Sequence, residues 1–175
     1  MLALRFGAAL AALVMGTGLA LAQGAAKPTD PQIAHIAYTA GDIDIKAANL
    51  ALQKSKNPKV REFATDMVRD HTAVNQQALA LVKKLKVTPQ DNPTSQALVK
   101  QADESRAKLS KLSGAAFDKA YVDNEVAYHK AVDNALQTTL IPSAQNAELK
   151  SLLETGLKIF QGHEQHAEMV QASLK

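Results

Sequence analysis

The sequence predicts a single all-α domain, a four-helix bundle with one additional, shorter connecting helix. Strand-type alternation is absent, only 4% of the residues are aromatic, and alanine, leucine, lysine and glutamine dominate. Three dipeptides, Asp30-Pro31, Asn57-Pro58 and Asn92-Pro93, place a capping side chain directly before a proline, which is typical of a helix start. Together these observations predict long helices joined by short loops.

Each predicted helix has its own start signal. The three proline dipeptides begin the first three helices, Ser113 caps the fourth, and Asn146 caps the fifth after a break at Pro142. The third segment has the narrowest apolar stripe, which suits a helix lying across the outside of a bundle. This connectivity is that of ferritin-like bundles, with a plain five-helix array as the alternative. The expected helices cover about 31–55, 58–86, 94–111, 114–140 and 147–174.

The N-terminal residues predict a cleaved secretory leader. Arg5 precedes an apolar run that ends at Leu21, and small residues flank a cleavage point after Ala22. The run is shorter than the roughly 20 residues that a spanning helix needs, so no transmembrane segment is expected after cleavage. The expected location is the periplasm, with or without association with the outer envelope. The predicted segments are a signal peptide (1–22), a linker (23–30) and a bundle domain (31–175).

Composition excludes several classes of function. The chain has no cysteine, so disulfides, thiolate metal sites and cysteine nucleophiles are excluded. It carries 20 Lys and Arg against 17 Asp and Glu, a modest excess spread along the sequence, so no nucleic-acid partner is expected. Phosphate-binding glycine loops, Gly-x-Ser-x-Gly elbows and His-Glu-x-x-His motifs are absent, which disfavours a hydrolytic enzyme.

Two helices carry a histidine inside their apolar stripe. The stripe from Val60 to Leu85 alternates spacings of four and three, and His71 stands where an aliphatic residue is expected. The stripe from Leu149 to Leu174 repeats the pattern around His163. A buried imidazole needs hydrogen-bond partners or a metal, because an unsatisfied polar group costs about 1–3 kcal/mol. The pattern predicts a polar or metal site inside the bundle.

Carboxylates are expected at the same levels as these histidines. Counting along tight antiparallel hairpins places Asp44 beside His71 and Glu125 level with His163. On the same helix faces, His129 follows Glu125 by four residues and His166 follows His163 by three. The predicted inward set is Asp44, His71, Glu125, His129, His163 and His166.

Carboxylates and imidazoles are the ligands that hold divalent first-row metals in bundle cores. The expected cofactor is therefore an ion of Zn, Cu or Fe. A metal-free structural or interaction bundle, in which the histidines hydrogen-bond to one another and to the acids, is the alternative, and an oxidase is a second one. Other polar or sulfur-containing residues receive less weight: Asp66 and Asp70 are expected at the surface, His35 at the periphery, and Met67 and Met169 in packing.

Four sequence blocks carry a resemblance to a known family. They are the stretch Val60 to His71 with its Met-Val-x-Asp-His ending, the Ser-Gly-Ala-Ala-Phe-Asp block after Leu112, the Glu125 and His129 pair, and His163-x-x-His166. The chain resembles the exported bacterial domains of unknown function 4142 over the whole mature sequence. The resemblance implies a ferritin-like bundle in the periplasm or outer envelope of a Gram-negative bacterium, and some members are labelled outer membrane proteins.

Ferritin-like di-iron proteins use Glu-x-x-His on two helices. Here Val68 stands three residues before His71, and His163 stands where the second Glu would precede His166. Both motifs are broken, which disfavours a di-iron oxidase and leaves a histidine-richer site for one ion.

We predict that the exported protein begins at Gln23, because the Ala20-Leu21-Ala22 sequence suits signal peptidase cleavage. N-terminal sequencing of protein from the cell envelope measures this directly. An intact Met1 terminus on envelope-localised protein would instead mean that the apolar segment is retained as an anchor.

Overall fold

The computed structural model describes residues 27–174, and the predicted signal peptide lies outside them. The described residues form helices and no strand, which confirms the all-α prediction. None of the described helices combines the length and apolar character needed to cross a membrane. The five principal helices are α1 (Asp30–Lys54), α2 (Pro58–Leu85), α3 (Pro93–Ser110), α4 (Gly114–Ala135) and α5 (Ala147–Ser173).

All three predicted asparagine caps are confirmed. The side chains of Asn57, Asn92 and Asn146 each accept backbone N–H groups in the first turn of the helix that follows. Ser113 occupies the N-cap position of α4, but its side chain makes no capping hydrogen bond.

The start of α1 differs from the prediction. Thr29, and not Asp30, is the N-cap, and the Gln32 side chain accepts a hydrogen bond from the Thr29 backbone N–H at 3.0 Å. The Asp30 carboxylate has another partner: its two oxygens accept the backbone N–H groups of Gln145 and Asn146, each at 2.8 Å. Asp30 therefore joins the start of α1 to the start of α5.

Helical structure before α5 ends at Ser143 and not at about 140, so the predicted break lies just after Pro142. After α4 the chain continues through a wider π-helical turn, Leu136–Leu140, and a last helical turn, Ile141–Ser143. In the wider turn the Ile141 N–H bonds to the Leu136 carbonyl five residues back. Pro142, which has no N–H to donate, follows directly after this wider turn.

The helices form two antiparallel hairpins, α1 with α2 and α4 with α5. The bundle closes because α2 packs on α5 and α1 on α4. The connecting helix α3 lies along α1, and Lys54 at the end of α1 donates to the Ser110 carbonyl at the end of α3, at 2.7 Å. The predicted four-helix bundle with a shorter connecting helix is confirmed.

The apolar core consists of two clusters. One, around Phe63, Met67 and Phe117, lies toward the end of the bundle where α1 ends. The other, around Ile33 and Leu153, lies toward the end where α1 begins. A layer of buried polar side chains lies at the mid-level of the bundle, and it carries the candidate site described below.

Replacing Asp30 with alanine should destabilise the domain by about 1.5–3 kcal/mol, because two backbone N–H groups at the start of α5 lose a charged acceptor. Urea denaturation measures the change in the free energy of unfolding. The matched control is Asp42→Ala, which removes an exposed ion pair with Lys46 and should cost about 0–1 kcal/mol. Equal losses in the two variants would show that the Asp30 link contributes no special stability.

Candidate metal centre

All four long helices contribute a polar side chain to one layer in the middle of the bundle. Asp44 comes from α1, His71 from α2, Glu125 and His129 from α4, and His163 from α5, and none is more than 6% exposed. The structure thus brings together five of the six residues predicted as ligands.

Distances within the layer are short. The Nε2 atom of His71 lies 2.9 Å from Oδ2 of Asp44, which confirms that these two residues share a level. The Nε2 atom of His129 lies 3.3 Å from the same carboxylate oxygen, and its Nδ1 lies 3.9 Å from Oε2 of Glu125. Several potential ligand atoms therefore crowd into one small volume.

Two overlapping groups of ligand atoms result. The first contains one nitrogen each from His71, His129 and His163, and the second contains atoms of Asp44, Glu125 and His129. Within each group, all atoms lie within 4.8 Å of one another. His129 belongs to both groups and links the imidazoles to the carboxylates.

Most of these polar atoms lack a hydrogen-bond partner in the protein. In residues 27–174, eleven buried side-chain N and O atoms have none, and seven of them belong to the five residues of this layer. Oδ2 of Asp44 and Nε2 of His71 are among the seven, so their 2.9 Å contact is not a well-directed hydrogen bond. Each such atom would cost about 1–3 kcal/mol if nothing satisfied it. A cation that accepts several of these lone pairs at once removes that cost.

Hydrogen bonds outside the layer orient two of the imidazoles. The His129 Nδ1 atom lies 3.0 Å from the Glu125 backbone carbonyl, so Nδ1–H is the donor and Nε2 is left with a free lone pair. The His163 Nε2 atom lies 3.0 Å from Oδ2 of Asp70, which leaves the buried Nδ1 without a partner. Backbone carbonyls and carboxylates behind histidines orient metal ligands in this way in known sites.

Asp70 departs from the expected surface role. Its half-buried carboxylate accepts a hydrogen bond from Nε of Arg69 at 2.7 Å as well as from His163. The hydrogen bond from Arg69, with a smaller contribution from His163, outweighs partial burial and lowers the pKa of Asp70 to about 2. Asp70 is thus an anionic acceptor that holds the His163 ring. Asp66, also expected at the surface, forms an ion pair with Arg69 at 2.7 Å.

His166 lies outside the layer. Its Nδ1 atom is 3.8 Å from Oδ2 of Asp66, and its ring packs edge-on against Phe63 with centroids 5.2 Å apart. An offset of three residues from His163 turns its side chain to a different part of the α2 surface. The structure does not bring His166 together with the other predicted ligands.

Two other expectations concern the methionines. Met67 is fully buried in the core, as predicted. Met169 is 65% exposed, so the prediction that it packs in the core is wrong. Its position two residues after Ala167, a buried core residue, turns it away from the core face of α5.

Burial and neighbouring charges set the protonation states of the carboxyl groups. Burial alone would raise the pKa of Asp44, but the charges and contacts of His71 and His129 outweigh it and hold this pKa well below its ordinary value. Burial, followed by the negative charge of Asp44, raises the pKa of Glu125 well above its ordinary value. Of the two carboxyl groups in the layer, Asp44 therefore favours the anionic form and Glu125 the protonated form.

Two imidazoles of the layer favour their neutral form. Burial, opposed by Asp44 and reinforced by repulsion from His71, lowers the pKa of His129. Burial likewise lowers the pKa of His163 to about 4, against the hydrogen bond to Asp70. Neutral imidazole is the form that coordinates a metal, so these ligands need no deprotonation at neutral pH.

His35 lies apart from the layer, as predicted. Its Nδ1 atom is 3.0 Å from Oγ of Ser95, where α1 and α3 begin. Ser95 belongs to the N-terminal capping box of α3, which accounts for its buried hydroxyl. This pair has a structural role at the bundle end, and His35 is a suitable control for the buried histidines.

The comparison with family models gives one match. The model described as "Domain of unknown function (DUF4142)" matches residues 17–170. The chain belongs to this family. No curated protein and no solved structure matches the chain. The match confirms the resemblance found in the sequence. The family description names no activity, so the buried layer is the guide to the chemistry of this chain.

The low pKa of His163 predicts how the metal-free protein responds to acid. The folded state holds this pKa at about 4 and the unfolded chain at about 6.5, so the unfolded state binds more protons between these values. The folded state therefore has its full stability with respect to this group above pH 6.5. As the pH falls toward 4, protonation of His163 in the unfolded chain lowers the free energy of unfolding by about 3 kcal/mol. Denaturation with a chelator present, at a series of pH values, measures it.

His163→Gln should make the decline between pH 6.5 and pH 4 shallower. His35→Gln removes an imidazole from outside the buried layer and serves as the comparison variant. An unchanged slope in His163→Gln would contradict the assignment of this acid sensitivity to His163.

Proposed function

We propose that this protein is an exported helical bundle that binds one divalent transition-metal ion in its buried polar layer. The observation that carries the proposal is the set of seven buried side-chain atoms without partners in Asp44, His71, Glu125, His129 and His163. Buried polar atoms are normally hydrogen-bonded, and an ion that contacts several of these atoms at once would satisfy them.

The ligand types favour a borderline transition metal. The nitrogen atoms of His71, His129 and His163 and the Asp44 carboxylate would form the primary donor set, with Glu125 as a further carboxylate that binding would deprotonate. Imidazole and carboxylate ligands suit Zn, Cu and Fe ions, and the chain has no thiolate that would select a softer metal. The carboxylate of Asp44, whose pKa is held well below its ordinary value, attracts a cation to this position.

The groups around the imidazole ligands orient them as such groups do in established metal sites. Asp70 behind His163 and the Glu125 carbonyl behind His129 fix which ring nitrogen faces the layer. Arg69 in turn keeps Asp70 ionised. Such preorganisation lowers the cost of ordering ligands when the ion binds.

The physiological role we propose is metal handling or protection against stress in the cell envelope. A site whose ligands are at most 6% exposed suits retention of an ion more than rapid exchange. Export is part of the proposal and rests on the leader-like run that follows Arg5 and ends before Gln23.

Elemental analysis of untagged protein purified from the periplasm tests the proposal most directly. Close to one equivalent of Zn, Cu or Fe per chain is the expected result. Persistent absence of metal, including after incubation with each ion, would favour the metal-free structural bundle.

A thermal-shift experiment tests which residues bind. Adding metal to the chelator-treated protein should raise its melting temperature, because a ligand that binds only the folded state stabilises it by about 2.7 kcal/mol at a hundredfold excess over Kd. Replacing His71 and His163 with alanine together should abolish the shift. His35→Ala should leave it intact.

The shift should also disappear on acidification, since protonated imidazoles do not coordinate. If the double variant keeps the full shift with Zn, Cu and Fe, the buried layer is not the site.

A further inference from the structure

A large cavity lies between the buried layer and the end of the bundle where α1 and α5 begin. Its volume is about 820 Å³, and its walls come from α1, α2, the start of α3, the last turns of α4 with the segment that follows it, and α5. The Phe160 ring closes its inner end and stacks on His71, with centroids 4.6 Å apart and planes 8° apart. The cavity is thus a separate space, one aromatic ring away from the candidate metal centre.

This volume is unusual for the interior of a helical bundle. Protein interiors are close-packed and contain few voids larger than a water molecule. Pockets for small molecules, in contrast, measure about 300–1,000 Å³ and have mainly apolar walls. The cavity has the volume and the mainly apolar lining of a small-molecule pocket. Its apolar lining includes Ala37, Ala40, Ala78, Leu136, Leu153 and Phe160.

The π-helical turn Leu136–Leu140 forms part of the cavity wall. Leu136, Thr138, Thr139 and Leu140 all line it. Turns of this type are rare in proteins, because the helix must accommodate one extra residue. Where they occur, they are often at functional sites. Here the distortion coincides with the cavity.

Shape and charge restrict the ligand. Along α5 the lining extends from Leu149 to Phe160, which corresponds to a depth of about 16 Å at the rise of an α-helix. Lys27 is the one charged residue in the described lining, and no carboxylate lines the cavity. Lys27 is exposed, and it lies in the segment before α1, at the outer end. A long apolar space with a cation at its outer end matches an acyl chain that carries an anionic head group.

We propose that this cavity binds one free single-chain carboxylate amphiphile. The apolar chain lies among the small and aliphatic side chains of the cavity wall, with its tip against Phe160. The carboxylate stays at the outer end, near Lys27. This inference rests on the cavity and not on the metal, so the two proposals can fail separately.

Dodecanoate is the probe for the test, because its extended chain is comparable in length to the cavity. We expect isothermal titration calorimetry and native mass spectrometry to show one dodecanoate per chain, at concentrations below those at which it forms micelles. Butyrate should bind far more weakly, since apolar burial contributes about 0.8 kcal/mol per methylene group. Absence of dodecanoate binding would overturn the proposal.

A cavity-filling variant locates the ligand. Ala78 lines the cavity, whereas Ala80, on the same helix, is exposed and outside it. Ala78→Phe should weaken dodecanoate binding by about tenfold or more, and Ala80→Phe should leave it unchanged. Melting temperatures of both variants show whether the fold is intact. A folded Ala78→Phe protein that binds normally would place the ligand elsewhere and contradict the proposal.

The head group and the source of the chain need separate measurements. Lys27→Glu should weaken dodecanoate binding and leave dodecanol binding unchanged. Equal binding of dodecyltrimethylammonium and dodecanoate would overturn the assignment of an anionic head. Binding to phosphatidylglycerol vesicles without binding to free dodecanoate would show a membrane-surface protein and would also overturn it.

The double variant with alanine at His71 and His163 should still bind dodecanoate. This result separates the cavity from the metal centre. Loss of dodecanoate binding in a folded double variant would show that the cavity is not an independent site.

Discussion

Burial of the Asp44 carboxylate is the constraint on which the rest of the structure depends. The side chain is completely inaccessible, and its pKa is held well below the ordinary value, so a full negative charge lies inside the bundle. An isolated buried charge is too costly to persist, so partners must come from neighbouring helices. The Nε2 atoms of His71 and His129 come within 2.9 and 3.3 Å of this carboxylate only if α1, α2 and α4 keep their axial register to within a fraction of a turn. The caps and the Asp30 link at the helix starts therefore serve the site as well as the fold.

Local periodicity predicted the part of the site that depends on single helices and short hairpins. The loop between α1 and α2 is so short that counting from Asn57 fixed the level of Asp44 opposite His71. The fourfold spacing of Glu125 and His129 placed both on one face. Asp70 could not be found this way. Its neighbour His71 points into the layer, and only the packing of α5 on α2 places His163 against its carboxylate. A contact between sequence-distant helices leaves no periodic signal.

The segment around Pro142 shows a second limit of local rules. Proline is expected to end a helix because it lacks an N–H and clashes with the preceding turn. The chain avoids that conflict with the wider turn Leu136–Leu140, in which hydrogen bonds shift to the fifth residue, and helical structure continues to Ser143. The adjustment keeps Leu136 and Leu140 buried in the apolar cluster at this end of the bundle. Tertiary packing thus outweighs the sequence signal, and the same distortion shapes the cavity wall.

The two apolar clusters have different roles on either side of the polar layer. The cluster around Phe63, Met67 and Phe117 contains fully buried rings, among them that of Tyr121, so it can stabilise the fold by close packing. Several residues of the other cluster line the cavity, among them Leu136, Leu153 and Phe160. Phe160 belongs to this second cluster and also stacks on His71. The geometry therefore joins two separable sites through one aromatic contact.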